Sequence, residues 1–598
     1  MNFSALSIRN PIPAIMLFAL LSLAGLLSFR GSAVQDFPDI ELPIVTVSAA
    51  LAGAAPAQLE TEVARKIEDS VATLNGIKNI YTKVLDGVVT VTVEFILEKP
   101  LSDAVNDVRD AVSRVRADLP AELRDPTVTK ASTAGRVVLN FAVEAVADTT
   151  DTANAGAAQS APSDQQALSW FVDNTVAKRL LAVPGVGAVK RVGGVNREVR
   201  VELDAIKMAA LNVAAIDVSR RLRQVQQETP GGRGDVGGAE QSVRTIATVK
   251  TADELALLDI PLADGHHIRL DQVAQVTDTV AEPRSLATLN GQRVISIEIF
   301  RTKGASELDI AVAANQAIAA LQAENPKIRF KQVINNARPV QENFNGSMEL
   351  LYEGALLAVL VVWWFLRDWR ATLVAAAALP LSVIPTFLGL KYFGYTLNTV
   401  TLLSLALVVG VLVDDAIVEI ENIARHLRMG KTPMQAAMEA ADEIGMAVIA
   451  TTFALVAVFL PTAFMGGVPG LFFKQFGWTA VLAVLASLMV ARLLTPMMAA
   501  YILKPVAQAE EKDSWLMERY LRVMRACLRH RIWTGVGAGI FFVGSIALVP
   551  LLPTGFVPAA DRSQTQINIE LAPGSTLQET AAVAERVRDY TLPYRHKL

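Results

Sequence analysis

Seven stretches of this chain are apolar for long enough to cross a bilayer: residues 11–29, 347–366, 371–390, 398–420, 444–464, 477–503 and 533–552. A spanning helix needs about 18–20 such residues. Hydrocarbon also demands that every backbone polar group be satisfied within the segment, which a helix does. The chain is 52% hydrophobic, with a mean hydropathy of +0.36, yet 19% of its residues are charged. That is too apolar for an ordinary soluble protein and too charged to lie wholly in the bilayer. A membrane bundle with a large water-exposed part is therefore expected, the latter between the first and second runs. Pro380 and Pro385 interrupt the third run, where neighbouring helices can satisfy the freed backbone groups.

Orientation follows from lysine and arginine, which collect on the cytoplasmic side. The connections after runs two, four and six carry Arg367, Arg370, Arg425, Arg428, Lys431, Lys504, Lys512, Arg519, Arg522, Arg525, Arg529 and Arg531. Those after runs three and five carry Lys391 and Lys474 alone. The N-terminus is thus expected in the cytoplasm and residues 30–346 outside it. The first run has a cleavable signal peptide as its rival, but it is long and no Ala-x-Ala site follows it, so an uncleaved helix is expected.

The exported segment alternates strand and helix patterns. Strands are expected at 44–51, 88–97 and 137–146, and amphipathic helices at 56–74 and 102–119. The rhythm restarts at 186–224 and 294–323, which reads as small α+β sandwiches with helices on one sheet face. Residues 147–164 are small and polar, as in a loop. The Gly-rich stretch 228–241, with Arg233, lacks the Gly-Lys-Ser/Thr of a nucleotide loop and reads as an extended hairpin tip or docking arm. Trp170 and Phe171 are expected in a core rather than on a ligand surface.

An internal repeat is visible. GAAPAQLETEVARKIED (53–69) resembles GSTLQETAAVAERVRD (574–589), each after a strand-like segment, IVTVSA or INIELA. Upstream of these lie Phe37, Pro38 and Asp39 in one copy and Phe556, Pro558 and Asp561 in the other. The offset is about 520 residues, so a second copy is expected to start at the seventh run and the sequence to be a fragment of a longer transporter-like chain.

The chemistry concentrates in GVLVDDAIVEIENIARHL (410–427). Asp414 and Asp415 stand in an otherwise apolar run, where a charge costs roughly 2.5–3.5 kcal/mol and marks an ion or proton pathway. Adjacent helical residues are about 100° apart, so both are expected to face one interior surface. Two close carboxylates in a dry bundle repel, which favours proton uptake. The structural alternative is a static ion pair, for which no Lys or Arg is expected near the centre of any run. Glu419, four residues on, shares the face of Asp415 and extends the path, or else is a hydrated acid at an interfacial helix end. FMGGVPGLFFKQFG (464–477) reads as a tight external turn, and Trp363, Trp364 and Trp369 as interface anchors. One cysteine, Cys527, and five histidines without ligand spacing give no support to a disulfide or a metal centre. The net charge of -4 argues against nucleic acid as a partner.

These motifs, with FLRDWRATL (365–373), LPTAFMGGVPGLFFKQF (460–476), LTPMMAAYILKP (494–505) and LPTGFVPAADR (552–562), resemble the resistance-nodulation-division (RND) superfamily. The resemblance is to its hydrophobe/amphiphile, acriflavine-resistance-type efflux branch. It implies an α-helical transmembrane bundle, seven of an expected twelve helices, plus a large periplasmic α+β region of βαβ porter subdomains and a docking domain. The expected division is 1–30 first transmembrane helix, 31–340 porter and docking region, and 341–503 helices two to six. A cytoplasmic linker helix at 504–532, helix seven at 533–553 and a second porter region beginning at 554–598 follow. The resemblance further implies a homotrimer in a bacterial inner membrane, with the arm near 228–241 reaching into a neighbour. A periplasmic adaptor (membrane fusion protein) and an outer-membrane channel are the implied partners. Small amphiphilic drugs, detergents or dyes are the implied cargo, and protons at Asp414 and Asp415 the implied coupling ion, with no cofactor. In the family these aspartates pair with a lysine of a second half. The rival readings are a non-transporting remnant and an RND exporter of metals or lipids; no phosphate loop or triad supports an enzyme.

Overall fold

The computed structural model describes residues 3–51, 53–130, 136–145, 162–225, 227–247, 249–262, 265–504, 515–552, 564–572 and 574–594. Most of the 147–164 loop, Lys512, Phe556, Pro558, Asp561 and His596 lie outside them.

All seven expected runs are helical: Pro11–Arg30, Ala337–Leu366, Trp369–Tyr392, Thr399–Arg428, Pro433–Ala463, Gly467–Ile502 and Arg531–Leu551. Several extend a few turns beyond the apolar run, because polar residues continue the helix into the interface. A short helix, Phe3–Arg9, precedes the first and ends where Pro11 cannot continue it; sequence patterning missed this element. The fourth helix lies at the centre, packed against the second, third, fifth and sixth. Hydroxyls staple it to the sixth: Ser404 Oγ donates to the Phe476 carbonyl at 2.9 Å and Ser487 Oγ to the Leu412 carbonyl at 2.9 Å. The third helix runs unbroken through both prolines. Helix six starts at Gly467, so the expected external turn shrinks to the residues just before it. Helix seven has no buried residue, and helix Trp515–Arg529 precedes it.

Between the first and second membrane helices stand two modules of one topology. In the first, β1 (Ile44–Ala50), β2 (Ile77–Leu85), β3 (Val88–Phe95) and β4 (Thr127–Lys130) form an antiparallel sheet in the order β2-β3-β1-β4. Buried and half-buried residues alternate along β1 and β3, as in a sheet covered on one face. Helical segments 56–72 and Leu101–Val115 cover that face with Leu59, Ile67, Val108 and Val112. The expected βαβ unit is therefore a βαββαβ unit. Edge strand β2 escaped detection because its residues are half-buried without strict alternation.

The second module repeats this plan. β5 (Val137–Ala145) is followed by helical residues Pro162–Leu181 and by β6 (Val186–Val192). An insertion intervenes, built of β7 (Arg197–Leu203), helices Ala205–Ala210 and Ala215–Val225, and the β8 (Gln227–Val236) and β9 (Ala239–Ala247) hairpin. It closes with β10 (Asp259–Pro261), β11 (His267–Arg269) and β12 (Ala274–Val280), the last paired with β7. The module then resumes through β13 (Ala287–Leu289), β14 (Gln292–Arg301), helix Glu307–Glu324 and β15 (Ile328–Asn335). In the sheet, β14 separates β6 from β5, and β15 flanks β5. The repeat thus restarts at 137; the stretch 186–224, expected as a restart, crosses from the module into its insertion. The 228–241 segment is a hairpin whose turn is Gly237–Gly238, both at positive φ (62° and 83°), a conformation that glycine adopts without strain. Trp170, expected in a core, is 65% exposed, whereas Phe171 packs on the module core.

The helix of the second repeat forms at Leu577–Thr591, with the capping box Thr576/Glu579. Residues 567–572, expected as a strand, pair with no strand among the described residues; Glu570 reaches Lys83 of β2 instead. A strand without a ladder partner has no reason to persist.

Candidate intramembrane carboxylate site

Asp414 and Asp415 sit half-way along the central fourth helix, whose Asn398 cap accepts from the Val400 and Thr401 backbone N–H groups. Within this chain the two differ in burial. Asp415 is half-buried, and Thr452 Oγ1 of the fifth helix lies 3.4 Å from its Oδ2. Asp414, 100° round the helix, lies on an exposed stripe with Leu403 (58% exposed), Leu407 and Val418. The four neighbouring helices wrap the rest of helix four and leave that stripe open.

Glu419 is fully buried, and among the described residues its carboxylate oxygens accept no hydrogen bond. The hydrated helix end considered for it is thus excluded. Glu421 is exposed, and Asn422 donates to the Ala440 carbonyl at 3.2 Å. Beyond Asn422, Glu443 accepts from Arg425 at 2.7 Å and meets His426 Nε2 at 2.8 Å, while Glu439 pairs with Lys431. A polar lattice thus closes the end of helices four and five.

The expectation of no central cation is corrected by Arg492. It sits within helix six, in a π-turn, Val490–Leu494. Its Nη1 donates to the Ala441 carbonyl of helix five at 2.6 Å. The sequence carries the signal, a lone arginine in the apolar run 477–503.

At the other end, a strap connects helix four to the second module. Val34 bridges to Leu397, Asp36 accepts the Thr399 N–H at 3.2 Å, and Gln35 Oε1 accepts from Thr396 at 3.0 Å. Asp39 meets Arg301 of β14 at 2.5 Å, and the same guanidinium reaches Glu307 at 3.0 Å. Burial pushes the Asp39 carboxyl up, but hydrogen bonds from Arg301 and the Gly304 N–H, with the guanidinium charge, hold it below its ordinary 3.8. Burial raises Glu307 above its ordinary 4.5 despite Arg301. Helix two is tied to the same module directly, since the Asn335 side chain closing β15 accepts from the N–H groups of Ala337 and Arg338.

A family model described as the AcrB/AcrD/AcrF family matches residues 3–597. The multidrug resistance protein MdtC of Shigella flexneri is 30% identical over 571 residues, covering 94% of this chain and 54% of the relative. MdtC of Pectobacterium atrosepticum is 29% identical over 575 residues, and MdtC of Escherichia coli O139:H28 30% over 575, each with the same coverage. The chain spans about half the length of the curated relatives it matches.

Proposed function

This chain belongs to the AcrB/AcrD/AcrF family of RND multidrug transporters, and from that premise we propose that it serves proton-driven efflux of hydrophobic and amphiphilic compounds. Drugs, detergents and dyes are the proposed cargo. The proposed setting is the inner membrane of a Gram-negative envelope, with the N-terminus in the cytoplasm and the two modules in the periplasm. The assembly is a homotrimer joined to a periplasmic adaptor and an outer-membrane channel.

The observation that carries this reading is Asp415, half-buried in mid-membrane on the central helix and facing a hydroxyl of its neighbour. A proton bound there cancels a costly intramembrane charge, and release restores it. Each proton that crosses supplies about 2.3 kcal/mol per 100 mV. Asp414 accompanies it on the open face, and Glu419 extends the path away from the modules. Movement of helix four then reaches the second module through the Val34–Asp39 strap, while helix two moves with β15. Alternate loading and release by the modules follows from that connection.

Replacing Asp415 with Asn keeps the shape and removes the titrating group. In the native genomic context, D415N is expected to abolish dye efflux and drug resistance at an undiminished amount of protein in the membrane. Unchanged resistance would overturn proton coupling through this site.

A further inference from the structure

Glu419 and Arg492 present complementary, unused hydrogen-bonding capacity inside the bundle. Glu419 is wholly buried, and among the described residues neither carboxylate oxygen has a partner. A group so placed in a native fold calls for an explanation. Arg492 carries five N–H donors. Among the described residues its guanidinium makes a single hydrogen bond, from Nη1 to the Ala441 carbonyl. The two residues come from helices four and six, and helix five lies beside both: Asn422, one turn beyond Glu419, donates to Ala440, and Arg492 donates to the next carbonyl along.

The surroundings are shaped for this arginine. The π-turn Val490–Leu494 sets it, and such turns recur where a helix serves function. Ser4 Oγ of the N-terminal helix donates to the Arg492 carbonyl at 2.7 Å, fixing the turn's backbone from outside. Gly445 leaves the space the guanidinium occupies, since a Cβ there would stand 2.7 Å from Nη2.

We propose that Arg492 is the counter-cation of Glu419, and that the pair forms a second proton-exchange station one turn further from the modules than Asp415. With Glu419 protonated, the carboxyl is neutral and the guanidinium rests on the Ala441 carbonyl. When the proton leaves, the carboxylate draws the free guanidinium N–H groups across and a bidentate pair forms. The proton is the sole species transferred, and the arginine stays charged throughout. Arg492 is thus a positioning residue whose motion ties helix six to the charge on helix four. The other charged groups about the station are Asp415 on the module side, with Asp442, Glu443, Arg425 and His426 toward the opposite end. Glu443 is already engaged by Arg425 and His426, which leaves Arg492 for Glu419.

This inference rests on the proton-coupled reading above, so its test has one readout independent of transport. A hydrophobic carbodiimide reacts with protonated carboxyls, and its adduct on Glu419 can be quantified by mass spectrometry in the native membrane-embedded protein. Across a pH series, R492Q is expected to move the midpoint of Glu419 labelling upward by about one unit, a tenfold change in proton affinity, whereas R492K stays near wild type. If R492Q does not reach the membrane, R492M takes its place. Equal labelling in wild type and the charge-removing variant would overturn the pairing. In efflux, E419Q and R492Q are each expected to lower the rate, with the double variant no slower than the worse single one. Full efflux in E419Q alongside a dead D415N would overturn the station and leave the pump reading intact. Full efflux in D415N would overturn proton coupling through Asp415, and labelling would still decide whether the pair exists.

Discussion

Gly25 shows how narrowly single residues set the packing of the bundle. A Cβ there would lie 2.2 Å from the Ile384 carbonyl oxygen of helix three, so the first and third helices touch backbone to backbone. Small residues allow such contact in lipid, where association relies on packing rather than on hydrophobic expulsion. Gly25→Val should force the helices apart at a cost of about 1–3 kcal/mol, the usual range for overpacking. A lowered midpoint of thermal unfolding in detergent would register it, and an unchanged midpoint would mean that the contact carries no strain. Gly410, on the open stripe of helix four, meets nothing within 4 Å among the described residues, so Gly410→Ala is the matched control and should be silent.

The element that joins membrane to modules is the strap Val34–Asp39, and its lock is Arg301. The pair is nearly dry, with side-chain exposures of 4% for Arg301 and 11% for Asp39. Breaking a buried pair by removing one partner typically costs about 3–5 kcal/mol. D39N should therefore destabilise the second module's seat on helix four, seen as faster proteolysis between the strap and β14 at neutral pH. Because Asp39 titrates below its ordinary value when folded, the stability it lends is present above pH 3.8 and is lost as the pH falls through the folded value. The difference between wild type and D39N should thus shrink in stronger acid. Glu307 has the opposite sign: its raised carboxyl favours the fold below pH 4.5, and that contribution is lost as the pH rises through the folded value. E307Q should not reproduce the acid-side convergence seen with D39N. A D39N difference that persists undiminished well below pH 3.8 would refute the assignment.

At the scale of the whole molecule, the β8–β9 hairpin is a two-stranded sheet that pairs with no other strand among the described residues. Its tip turns on Gly237–Gly238, and Arg233 and Glu240 are braced across the ladder at 2.9 Å with both side chains mostly exposed. A two-stranded ribbon alone is marginal in water, so a neighbour is expected to support it. If the chain forms the proposed homotrimer through this arm, shortening the hairpin to a two-residue turn after Glu228 should leave the modules folded and convert the assembly to monomers in native mass spectrometry. Trimers of undiminished abundance would remove the arm from assembly.

Periodicity and hydropathy by themselves determined the seven spans, the strands β1, β3 and β5, and the helices of the first module, because each of these records burial along its own local segment. The same reading singled out Asp414, Asp415 and Glu419, since a carboxylate in an apolar run is conspicuous without any partner. What it left to the tertiary structure is whatever depends on a second segment. β2 and the bounds of the second module follow from a sheet order that brings 137–145 beside 292–301, across a long insertion. The parting of Asp414 from Asp415 follows from which neighbours wrap helix four. The trapping of Glu419, and the meeting of Arg492 with Ala441, follow from three helices that converge there. Hydrophobic patterning tells a residue how deeply it lies, but only the crossing of helices decides which charge lies beside it.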